Sequence, residues 1–241
     1  MTAAAPAPLV VTVVCVLTYS FEIVFGLAGT ILMLAALTLL YSAKTLVVYS
    51  VLPQILVGTI GLLRSPRTVR VGFLASMLGF AAAGGAIGMF LFYHVPDDVF
   101  HYLLASIITL AGLYLVAGPQ RLQLHPAGSR TLDVLAGMSQ ALFGISGPIA
   151  MTRLLATFSD KTTVRNYALA FFLALNVLRA GSYLFTHAYT DGIARLMLYS
   201  APFLATALWF SNHLHFRVNE TLFRRVVAWI IFASGVSLFL R

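Results

Sequence analysis

The residues able to do chemistry in this 241-residue chain interrupt long apolar runs. Glu22 and Arg179 each sit well inside such a run. A charge there costs at least about 2.5 kcal/mol and is kept for a partner or a task. Asn176 lies three residues before Arg179, so on a helix the two face one cavity. Two glycine-rich breaks accompany them: Gly26-Leu27-Ala28-Gly29 and Gly144-Ile145-Ser146-Gly147. A helix restarting after a break offers unpaired N–H groups and a partial positive charge, which suits an anion. The candidate site is therefore Gly26, Gly29 and Thr30 at one break, and Gly144, Ser146, Gly147 and Pro148 at the other. Thr30 and Ser146 add hydroxyl donors, and Pro148 suits a first helical turn. Arg179 and Asn176 would bind or steer the anion. Glu22 would carry a proton or pair with an arginine. Arg153 is a further cation candidate that equally reaches toward headgroups. Gln54 and Thr59 are polar positions on another apolar run.

The elements that position these residues repeat. Phe25-Gly26-Leu27-Ala28-Gly29-Thr30-Ile31 returns 118 residues later as Phe143-Gly144-Ile145-Ser146-Gly147-Pro148-Ile149. Val95 to Phe100 returns as Val218 to Phe223, and Gly112 as Gly235, at a shift of 123. Duplicated halves that each contain a broken apolar segment point to a transporter. The composition is 60% hydrophobic and 9% charged, which excludes a soluble domain. Eight apolar segments are read, at 9–43, 45–63, 71–93 and 98–117, then 133–158, 166–187, 193–211 and 221–240. The expected class is an all-α polytopic membrane protein. A first repeat, 1–118, and a second, 133–241, are joined by a linker, 119–132.

The first segment is too long for one crossing of a core of about 30 Å. Its central break predicts a hairpin that enters and returns; the fifth segment could do the same or span once. If both are re-entrant, the basic loops around Arg67, Arg121, Arg165 and Arg217 share one face. The acidic loops of Asp97, Asp98 and Asp191 then lie opposite, with Lys44 as the exception. The positive-inside rule favours this arrangement, which makes the halves inverted repeats with the basic loops cytoplasmic. The net charge of +8 is thus spent on orientation, not on nucleic acid. The single Cys15 allows no internal disulfide, and no histidine spacing suggests a metal site. No cofactor is expected. Gly84 and Gly88 form a small-residue pair that suits a helix contact or a homodimer face.

The chain resembles the TauE/SafE family of sulfite exporters and related anion transporters over nearly its full length. The resemblance rests on the glycine-rich break of each half and on three stretches beyond the second break. Those stretches are Val164-Arg165-Asn166-Tyr167-Ala168, Asn176-Val177-Leu178-Arg179 and Ser182-Tyr183-Leu184. The family's breaks usually carry Gly-x-Gly-Gly, whereas here Ala28 and Ser146 fill the gap. The resemblance implies a transporter, not an enzyme, in a bacterial inner membrane. Its substrate would be a small anion such as sulfite, a sulfonate or an organic acid. Two other readings stay open. A membrane assembly factor would need no buried arginine and no central cavity. A rhomboid-like serine protease would use Ser146 of Gly-Ile-Ser-Gly, but would need a membrane-embedded histidine to activate it.

Overall fold

The computed structural model describes residues 8–25, 28–63, 69–117, 125–214 and 220–239. Regular structure among them is entirely α-helical. The helices are α1 (Pro8–Phe25), α2 (Gly29–Leu37), α3 (Ala43–Tyr49), α4 (Val51–Leu63), α5 (Val71–His94) and α6 (Asp97–Ala117). They continue as α7 (Pro126–Phe143), α8 (Gly147–Thr157), α9 (Lys161–Phe185), α10 (Asp191–Leu214) and α11 (Glu220–Phe239). Helices α3 and α4 run on through Ser50 as one span, Ala43–Leu63. That span, α5, α9 and α10 are each long and apolar enough to cross a bilayer. Val71, Phe185, Leu198 and Phe210 stand exposed on the outside. Such a surface suits lipid and not water. The chain is a multi-pass membrane protein.

The first and fifth apolar segments each fold back on themselves. In the first, the Tyr19 hydroxyl on α1 meets the Thr30 hydroxyl on α2 at 3.1 Å and the Met33 sulfur at 3.7 Å. In the fifth, Asp133 on α7 lies 3.6 Å from Arg153 on α8, while Ser146 donates to Gln140 at 2.7 Å. The fifth segment therefore does not span once. Its turn is made by Gly144, whose φ of 71° is left-handed and ends α7 with an N–H to the Gln140 carbonyl. Gly26 and Leu27 of the first turn lie outside the described residues. Ala28, at φ 83°, holds the left-handed conformation there.

The partners of one half are the partners of the other, exchanged. Helix α5 packs along α7, and α10 along α1. Helix α4 lies against α9, and α6 against α11. Both of these last pairs run antiparallel. On α4, Gly58 faces Leu173 and Gly61 faces Leu169. On α6, Gly112 abuts the Phe232 backbone while Gly235 abuts Thr109. Residues 109 and 232 are themselves counterparts at the 123-residue shift, so this contact is reciprocal.

Some boundaries differ from the sequence reading. Helix α7 begins at Pro126, inside the stretch assigned as linker, because Pro126 opens the first turn and His125 accepts the Ala127 N–H. Asp133 is consequently buried two turns inside a helix. Gly84 and Gly88 pack against the Val134 and Met138 carbonyls of α7, so they serve a contact within the chain. Lys44, the exception to the charge pattern, is paired with Asp97 at 2.9 Å and donates to the Val95 carbonyl at 2.7 Å.

Candidate functional site

The two hairpin tips meet, and α4 and α9 supply the side chains between them. Gln54 on α4 donates to the Thr30 hydroxyl at 2.8 Å and to the Gly144 carbonyl at 3.1 Å, so one amide joins both tips. Its own oxygen accepts from Gln140 and from Asn176, both at 2.7 Å. Gln140 also donates to the Asn176 oxygen at 3.2 Å. Ser139 fastens the second turn by donating to the Ile145 carbonyl. These groups are buried, and unmade hydrogen bonds there would cost about 1–3 kcal/mol each. The network therefore specifies where the tips lie.

Arg179 borders this network. It is 2% exposed and donates to Asn176 at 2.8 Å and to the Val47 carbonyl at 2.9 Å. Val47 lies one turn before the Ser50 junction of α3 and α4, and the Ser50 hydroxyl donates to the same carbonyl at 2.7 Å. The guanidinium also lies 5.6 Å from the Tyr183 ring. Its nitrogens come within 3.3 Å of where a Cβ on Gly144 would stand, so a side chain there would crowd them. No carboxylate lies within ion-pairing distance of Arg179 among the described residues. The expected alternative partner, Glu22, points elsewhere. It accepts the Thr30 N–H at 3.1 Å, with its carboxylate against Gly29 at the start of α2.

The tips enclose a cavity of about 20 Å³ lined by Glu22, Thr30, Gln54, Gln140, Gly144 and Ser146. That is room for roughly one water, and too little for an oxyanion. A larger groove of about 540 Å³ between α5, α7 and α9 leads from His94 and Tyr93 to Gln140 and Arg179. Arg179 stands where groove and tips meet.

Most of the residues singled out in the sequence converge here: Gly29, Thr30, Gln54, Gly144, Ser146, Gly147, Asn176, Arg179 and Glu22. Gly26 lies outside the described residues. Pro148 lines a neighbouring apolar cavity of about 200 Å³ with Ile107 and Tyr114. Thr59 is exposed and apart from the cluster. Arg153 is not at the tips: it sits by Asp133 and over the Phe73 ring at 5.1 Å. Gln140, Ser50, Tyr19 and Ser139 were not anticipated. Gln140 had a signal, since it stands 118 residues after Glu22, the same shift that relates the breaks. The Ser146 hydroxyl donates to Gln140 and not to a histidine, which removes the basis for a serine nucleophile. No group of three or more His, Cys, Asp or Glu side chains that could hold a metal occurs among the described residues.

Residues 11–238 match the family model described as Sulfite exporter TauE/SafE. No curated protein matches the chain, and no solved structure does.

Proposed function

The chain belongs to the sulfite exporter TauE/SafE family, and from that premise we propose that it moves a small oxyanion bound between the two hairpin tips. The family is one of membrane transporters, not of enzymes. Sulfite, a sulfonate or an organic acid fits the donors present, and the bacterial inner membrane is the setting. The observation that carries this reading is Arg179. A guanidinium buried within a membrane helix, beside the second tip and without a carboxylate partner among the described residues, is best explained by an anion that comes and goes. Gly144 leaves it open to that anion. Gln54, Asn176, Thr30 and Ser146 supply further donors once the tips part.

The halves are inverted repeats in this reading. Antiparallel α4–α9 and α6–α11 pairs support a two-fold axis across the helices, and hence in the membrane plane. The hairpins are then re-entrant from opposite faces, and alternating access follows from movement of one half against the other.

The test is anion flux into proteoliposomes. Arg179→Ala should abolish flux with the folded yield retained, and Arg179→Lys should keep part of it. Lysine preserves the charge but loses the planar fork that grips an oxyanion. Normal transport by Arg179→Ala would displace the site.

A further inference from the structure

Glu22 and Gln140 occupy the same place in the two repeats, 118 residues apart, yet one is an acid and the other its neutral amide. Their partners differ accordingly. Gln140 faces across the cavity, bonded to Gln54, Asn176 and Ser146. Glu22 instead turns onto the start of its own hairpin's second helix. It takes the Thr30 N–H at 3.1 Å and lies against Gly29 so closely that a Cβ there would strike its oxygen. The carboxylate is 7% exposed. No Lys or Arg lies within ion-pairing distance of it among the described residues.

The other titratable groups around it are occupied elsewhere. Tyr19, on the same helix, bonds to Thr30. From α9, Arg165 donates to the Ile23 carbonyl at 2.9 Å, and Arg179 lies across the cavity with Asn176 and Val47. Helix α4 presents neutral Gln54, which also bonds to Thr30, and α10 places no charged side chain in ion-pairing range. A negative charge on Glu22 would thus be held by the α2 N-terminus, the same group that would hold a substrate anion in the first half. Two like charges cannot share one helix start in a dry cavity.

We propose that Glu22 is a tethered competitor for the transported anion, and that it takes up a proton when the anion binds. This rests on the anion site described above. The carboxylate gains H⁺ from the side on which the anion enters, leaves the Thr30 N–H, and returns the proton to the other side as the anion departs. One proton therefore travels with each anion. Gln140 cannot do this, so the coupling is confined to the first repeat.

The probe is methanesulfonate, which stays a monoanion, with full-length protein in vesicles holding a pH-sensitive dye. Wild-type flux should rise roughly tenfold per unit fall in outside pH until Glu22 is protonated, and the vesicle interior should acidify with it. Glu22→Gln should bind methanesulfonate more tightly at neutral pH, with flux independent of pH and no proton movement. Gln140→Glu should lower neutral-pH flux and steepen the pH dependence. If Glu22→Gln folds poorly, Glu22→Asp keeps the carboxyl and should retain coupling with a displaced pH midpoint. A Glu22→Gln protein with the wild-type pH slope would overturn the proposal while leaving the anion site intact. Failure of every form, wild type included, to move methanesulfonate or sulfite would overturn both.

Discussion

At the scale of single residues, the tips hold strain as well as donors. Ala28 is buried at φ 83°, where its Cβ crowds the backbone at a cost of about 1–2 kcal/mol. In the second turn the left-handed position is instead one step off a helix end and is filled by Gly144 at φ 71°, while Ser146, the counterpart of Ala28, has φ −129°. Ala28→Gly should therefore stabilise the protein by about 0.5–1 kcal/mol, read as a higher thermal midpoint in detergent; an unchanged or lower midpoint would show that the turn is not strained. These tips were legible in the sequence because glycine-rich breaks at matched positions are hard to place elsewhere. Glu22 and Arg179 were legible because a lone charge in an apolar run needs a reason. Gln140 was overlooked: its only signal is the 118-residue shift from Glu22, and an amide draws little notice until its partners are seen. Arg153 does form an ion pair, though with a partner the sequence did not single out. Its partner Asp133 lay at the edge of an apolar segment and only the early start of α7 buried it.

At the scale of elements, hairpins and spans are held by different contacts. Gly137 presses on the backbone of Ala81, and Gly84 on that of Val134. Gly137→Val should cost more than about 3 kcal/mol and lower the yield of folded protein, because backbone cannot move aside. Gly181→Ala, which meets nothing within 4 Å, should leave the yield as it is and serves as the control. The start of α9 is secured by Asp160, whose carboxylate accepts the Thr163 hydroxyl at 2.6 Å and its N–H at 2.7 Å. Those bonds hold the carboxyl below the usual carboxylate range. The cap is at full strength above the ordinary carboxylate value and is lost as pH falls through the lowered one. Apolar run length pointed to the first hairpin, since 35 residues with one charge cannot cross once, but left the fifth segment open. They placed helix ends poorly, because hydropathy does not register caps such as Pro126 and Asp160.

At the scale of the whole molecule, orientation follows from loop charge. His125 and Ser159 lie exposed at one end of their helices, and Asp98 and Thr190 at the other. Lys44, bound to Asp97, adds no free positive charge to that second end. Single cysteines at positions 98 and 190, in a Cys15→Ala background, should react with an impermeant reagent on intact cells. Cysteines at 125 and 159 should react only after permeabilisation. The reverse pattern would invert the protein, and labelling of all four from outside would break the repeat arrangement. Two short motifs in a constant order are what the sequence offers for a repeat. Its reciprocal contacts, Gly112 with Phe232 and Gly235 with Thr109, required coordinates.

The α5–α7 contact has a mechanical consequence. Backbone rests on backbone along it, so α7 and its hairpin sit tightly against α5, and this is the stiffer of the two matched seams. The counterpart seam joins α10 to α1, and α1 carries no glycine at all. Its interlocking side chains permit the small sliding that shear motions use. If the proposed rocking cycle operates on this frame, it should be lopsided: the hairpin bearing Glu22 would be the lever, and the hairpin beside Arg179 the anvil it closes on.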